Sequence, residues 1–143
     1  MNIREYKCTK IPSVKTLKAS ESEEINFEDL INMIAEENTA VDKARECLIN
    51  KDPDGYKDNK MSLPVFLPYR LSDRSEGGAF TNHNRVWDDV FLMMFDVDHL
   101  GSDTCDVLKP ELIEIEGVAA VFKTPSGEGL RIIAVVQELD CAY

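Results

Sequence analysis

Basic residues are scarce in this chain. Sixteen lysines and arginines stand against 27 aspartates and glutamates, a formal net charge of −11. That deficit argues against a protein that grips a nucleic-acid backbone with a broad cationic face. It leaves open a solvated acidic surface, or a carboxylate site that works through a bound cation. Long apolar runs are missing as well: the longest, residues 90–95, is far short of the roughly 20 residues that span a bilayer. The first ten residues mix charges and hold no apolar stretch, so no signal peptide is expected, and no membrane partner. Cys8, Cys47, Cys105 and Cys141 are scattered without a Cys-x-x-Cys pair, and His83 and His99 do not complete a zinc pattern. Free thiols in a reducing cytoplasm are the expectation.

What is present suits one folded domain: 143 residues, 43% hydrophobic and 30% charged, with no repeats or low-complexity tracts. Residues 3–11 read as an opening strand, and residues 12–24 as a polar connection. Asn26 is placed to cap a helix in which Phe27, Leu30, Ile31 and Ile34 recur at helical spacing. Thr39 is placed to cap a second helix with an apolar stripe of Val41, Ala44 and Leu48, both stripes facing a sheet. Residues 51–60 read as a turn-rich polar loop and 60–67 as extended. Residues 90–97 read as a strand buried on both faces. Pro110 fits the first turn of a short helix, and residues 118–136 form a β-hairpin around a turn at 124–129. The expected fold is α+β, with helices packed on a mainly antiparallel sheet.

The acidity is concentrated late: residues 91–143 hold ten acids and three bases. Within that region an apolar strand runs into Asp96-Val97-Asp98. Strand side chains alternate, so Asp96 and Asp98 project to one side, roughly 7 Å apart along the chain. Two like charges beside an apolar strand call for water, a base or a cation, and a hard divalent cation such as Mg²⁺ suits them. The alternative is that both carboxylates sit in solvent at the strand's exit. An EF-hand starting at Asp96 fails, because Leu100 and Val107 occupy positions that need oxygen ligands. Metal-dependent glycosyltransferases also use an Asp-x-Asp; 143 residues are few for a nucleotide-sugar fold, and that reading stays as a remote alternative.

A second signal follows in Thr124-Pro125-Ser126-Gly127-Glu128-Gly129-Leu130-Arg131. Its glycines and serine permit a tight turn that presents N–H groups to an anion. Arg131 then stands as a charge in an apolar strand and wants a partner, either Asp96 or Asp98 or a phosphate. An ordinary hairpin turn with a surface arginine is the simpler alternative. The Walker A pattern is absent.

Taken in order, Lys60-x-x-Leu63-Pro64, Gly78-Ala79-Phe80, Asp96-x-Asp98-His99 and Pro125-Ser126-Gly127-x-Gly129-Leu130-Arg131 form a pattern. The sequence resembles the N-terminal domain of the VirE-like proteins, a branch similar to archaeo-eukaryotic primases, over most of its length (about residues 3–136). The resemblance implies an RRM-like, primase-like catalytic core in which Asp96 and Asp98 bind Mg²⁺ or Mn²⁺. It implies that Ser126, Gly127 and Gly129 line nucleotide phosphates with Arg131, which falls where primases carry a phosphate-contacting histidine. It further implies a replication protein of a mobile element, commonly followed by a P-loop helicase-like domain.

Three departures shape that expectation. Arg131 can hold phosphate but cannot shuttle protons at neutral pH. Primases use a third carboxylate on a later strand, whereas this chain ends at Tyr143 with Asp140 as the only late candidate. The chain is therefore expected to be a single domain truncated before its last catalytic strand, with weak or no nucleotidyltransferase activity. The cationic surface of a template-binding enzyme is also missing. The competing expectation is a non-catalytic interaction or regulatory module of a helicase-like protein, in which Asp96, Asp98 and Arg131 do not converge. His99 is expected to face solvent rather than ligate.

Overall fold

The computed structural model describes residues 2–87 and 90–137. The chain opens on a single 3-10 turn, Ile3–Glu5, where the Asn2 side chain accepts from the Arg4 N–H. The expected strand therefore starts late, as β1 (Lys7–Ile11). The polar connection contains two further 3-10 turns and ends in β2 (Glu23–Asn26), which pairs antiparallel with β1.

Helix α1 (Phe27–Ala35) begins where its spacing predicts, although Asn26 makes no side-chain cap. In α2 (Thr39–Ile49) the cap is Asn38, whose Oδ1 accepts from the Ala40 and Val41 N–H groups, so Thr39 is already helical. Residues expected to be a loop form a third helix, α3 (Pro53–Met61). Pro53 occupies its first turn, where a missing N–H costs nothing, and Asp52 Oδ1 accepts from Gly55 N–H. Helix α2 packs on α3 rather than on a sheet, and Ala44 is its one buried residue. Strand β3 (Val65–Leu67) then pairs with the other side of β1.

Strand β4 (Val90–Val97) leads into α4 (Ser102–Ile113). Pro110 lies well inside α4, not in a first turn; the helix begins eight residues earlier because Cys105, Leu108 and Leu112 give it an apolar stripe. The hairpin forms as expected from β5 (Val118–Lys123) and β6 (Leu130–Gln137). Among the described residues the architecture is α+β, with two antiparallel three-stranded sheets ordered β2-β1-β3 and β4-β6-β5.

One face of the second sheet, carrying Leu92, Ala120 and Ile133, packs against Tyr6, Cys8, Phe27 and Leu30. Its other face gives Val121 and Leu130 to Cys105 of α4. Helix α4 packs on β5 and reaches Leu130 and Ile132 of β6, whereas β4 lies at the far edge of the sheet. Met93, Phe95 and Val97 are consequently 40%, 45% and 37% exposed, so β4 is not buried on both faces. Among the described residues no helix is long and apolar enough to cross a membrane. Cys8, Cys47 and Cys105 are free thiols; Cys141 and Asp140 lie outside the described residues.

Candidate functional site

Antiparallel pairing of β4 with β6 places Asp96 directly opposite Arg131. Directly opposed strand residues project to the same face, so the two side chains meet. Arg131 Nε donates to Asp96 Oδ1 at 2.5 Å and Arg131 Nη2 to Asp96 Oδ2 at 2.9 Å. This is the two-pronged fork that guanidinium geometry favours with carboxylates. Of the two partners left open for Arg131 by the sequence, the structure supplies the carboxylate.

Asp98 leaves the strand one residue after β4 ends and borders the same cavity as Asp96. Among the described residues its carboxylate has no hydrogen-bond or ion-pair partner. The backbone beyond it is tied to the hairpin: Leu100 N–H and Gly101 N–H both donate to the Glu128 carbonyl, at 2.8 and 3.2 Å. His99 makes this corner with a φ of 60°, a left-handed conformation that histidine tolerates better than most residues. His99 is exposed, as expected, and stands at the cavity rim.

The 124–129 turn is closed by Thr124 N–H donating to the Gly129 carbonyl and Gly127 N–H to the Thr124 carbonyl, at 2.9 and 2.8 Å. Ser126 Oγ accepts from Glu128 N–H and shares a hydrogen bond with the Thr124 hydroxyl. It thus braces the turn while also bordering the cavity. Gly129 permits a close approach: a Cβ there would lie 2.7 Å from the Val97 carbonyl oxygen and 3.3 Å from Asp98 Oδ1. Gly127, with a φ of 79°, faces away toward a neighbouring cavity.

The cavity holding Asp96, Asp98, Arg131 and Ser126 has a volume of about 570 Å³. Its far wall is α3 and the chain leading into β3, which bring Tyr56, Lys60, Leu63 and Pro64 to it. The Lys60 ammonium lies 5.8 Å from the Tyr56 ring centre. Three of the four sequence motifs therefore meet here. The fourth does not: Gly78 serves its own loop, where a Cβ would stand 2.6 Å from the Asp73 carbonyl oxygen. Tyr56 was not legible as a lining residue, because the helix that presents it carries no apolar stripe that marks it as a helix.

No group of three or more His, Cys, Asp or Glu side chains suited to a metal ion occurs among the described residues. Two carboxylates remain, which is the usual protein contribution to a Mg²⁺ site completed by water and phosphate oxygens. Arg131 occupies two of the roughly four lone-pair sites of Asp96, leaving others for a cation. The donor set fits a hard divalent cation on those terms. Comparison with known protein families, with curated proteins and with solved structures finds no match.

Proposed function

We propose that this chain is a primase-polymerase-related domain that binds a nucleotide, or a nucleic-acid end, through Mg²⁺ or Mn²⁺ at Asp96 and Asp98. The observation that carries the proposal is the convergence of residues 60–64, 96–98 and 124–131 on one cavity. Had Asp96 and Arg131 been far apart, no single hydrated metal–phosphate site could have joined them. They are in direct contact. Carboxylates, two cationic side chains and an apolar wall of Val14, Leu48 and Leu63 match the needs of a ligand with phosphates at one end and a flat apolar group at the other.

In nucleotidyl transfer a 3′-hydroxyl attacks the α-phosphate of a nucleoside triphosphate: the new P–O bond forms, the α–β phosphoanhydride bond breaks, pyrophosphate leaves and the hydroxyl proton passes to water. A divalent cation, when bound, neutralises charge on the reacting phosphate. Asp96 and Asp98 would hold it. Arg131 and Lys60 would bind phosphate oxygens; Arg131 stays protonated, so its part is binding and not proton transfer. The RRM-like core, the replication role and an attached helicase-like domain belong to this same proposal.

Calorimetric titration with Mn²⁺ tests it. The wild-type chain is expected to bind, and an Asp96→Asn/Asp98→Asn double variant to lose about tenfold or more in affinity. Equal absence of binding in both removes the metal site. A second reading, a non-catalytic interaction module, is favoured by one observation: the exposed row of Met93, Phe95 and Val97 on the edge strand.

A further inference from the structure

Behind the 124–129 turn lies another cavity, of about 390 Å³, with a different chemistry. Arg45 of α2, Lys123 at the end of β5, Ser102 at the start of α4, and Ser126 and Gly127 of the turn border it. In a chain of net charge −11, two cations here face a single lining carboxylate, Glu128. Lys123 is itself paired with Asp106, so the uncompensated cation at this cavity is Arg45.

Arg45 is the informative residue. It is half-buried, its Nε is shielded from solvent, and its guanidinium has no hydrogen-bond or ion-pair partner among the described residues. Arginine is seldom withdrawn from water without a partner. The rest of the guanidinium borders the cavity with no acceptor among the described residues, which an anionic ligand there would supply. Gly127 lies against Arg45, where a Cβ would stand in ordinary contact at 3.5 Å from Nε. On the other wall Lys123 is held in place, its Nζ 2.7 Å from Asp106 Oδ1 and 3.0 Å from Ser102 Oγ. Helix α4 starts beside it at Gly101 without a side-chain cap, and Asp103 in its first turn offsets part of the positive end of its dipole.

We propose that this cavity is a phosphate subsite that works without metal and takes the polyphosphate tail of a nucleotide. The two cavities share Leu48, Ser126 and Glu128 in their linings, so they adjoin. A nucleoside triphosphate is the ligand class that carries charge to both. Its nucleotide identity rests on the function proposed above; the affinity for polyphosphate does not.

Calorimetry with inorganic tripolyphosphate in EDTA at low salt tests the subsite alone. Wild type is expected to bind. Arg45→Gln is expected to weaken binding about tenfold, the scale of one charge-assisted contact. Glu128→Gln, whose native side chain makes no hydrogen bond or ion pair among the described residues, is expected to tighten binding severalfold, and it keeps the test valid should Arg45→Gln fail to fold. The Asp96→Asn/Asp98→Asn variant is expected to bind like wild type, whatever happens to its Mn²⁺ affinity. Absence of binding by wild type, indifference to the Arg45 and Glu128 changes, or loss in the double Asp variant overturns the subsite. A second arm, ATP with Mn²⁺, separates sources: a drop in Arg45→Gln supports the nucleotide tail, and indifference there overturns it in favour of free polyphosphate.

Discussion

Arg131 and Asp96 face each other across adjacent strands and meet through both guanidinium edge nitrogens and both carboxylate oxygens. Their side chains are 33% and 45% exposed, so water screens the attraction. Exposed pairs of this kind contribute no more than about 1 kcal/mol. The fork is thus strong enough to orient both groups and weak enough to exchange for a cation on one side and a phosphate on the other.

Removing Arg131 should therefore separate two affinities that loss of folding would lower together. Arg131→Ala leaves Asp96 without its ion-pair partner, and Mn²⁺ alone is expected to bind about fivefold tighter, the equivalent of about 1 kcal/mol. Nucleoside triphosphate binding in the presence of Mn²⁺ is expected to weaken. Titration calorimetry with each ligand reads both changes. Two shifts of the same sign would contradict the exchange.

Gly129 holds the strand exit against the hairpin. An alanine Cβ would stand 2.7 Å from the Val97 carbonyl oxygen and 3.0 Å from Thr124 Oγ1, and the first of these contacts is with backbone that cannot swing aside. Gly129→Ala is expected to cost about 1–3 kcal/mol of stability, as overpacking generally does. Urea denaturation measures it. The same change at Gly77, where nothing lies within 4 Å of the added carbon, should be near neutral and serves as the control.

Asn84 staples the loop that carries Gly78. Its Oδ1 accepts from Ser72 Oγ and Asp73 N–H at 2.5 and 2.6 Å, and its Nδ2 donates to the Asp73 and Ala79 carbonyls at 2.7 and 2.9 Å. Asn84→Ala is expected to cost about 2 kcal/mol, because several backbone groups lose partners together. Amide exchange at Asp73 should accelerate in the variant, and unchanged protection there would disprove the staple. In the same loop, Ser75 N–H donating to Asp73 Oδ1 holds the Asp73 carboxyl below its ordinary value of 3.8. That contribution is present above the ordinary value and is lost as pH falls below it.

The hairpin and the Asp96–Arg131 encounter were legible because both follow from strand alternation, which sequence spacing reports directly. Helix α3 was not. Gly55 and Asn59 interrupt it, it has no buried residue, and it is held by the Asp52 cap and by packing on α2. The exposure of Met93, Phe95 and Val97 was hidden for another reason: sequence reports that a strand is apolar, not whether a helix reaches across it. Arg45 was invisible as a site residue, since a lone charge on an amphipathic helix acquires meaning only from what tertiary packing places beside it.

Cys8 predicts a loss of stability in alkali. The thiol is fully buried between the two sheets, and burial alone pushes its pKa from 9.0 up to about 12. Between those values the folded chain keeps a proton that the unfolded chain has released. The stabilisation is complete below the unfolded value and declines as pH rises through this window, by about 1.4 kcal/mol per pH unit. Cys8→Ala carries a packing penalty that does not vary with pH, so the wild-type advantage over it should shrink between pH 9 and 11. Urea denaturation of both proteins across that range gives the difference. A constant gap would mean that the Cys8 thiol ionises as readily in the folded chain as in the unfolded one.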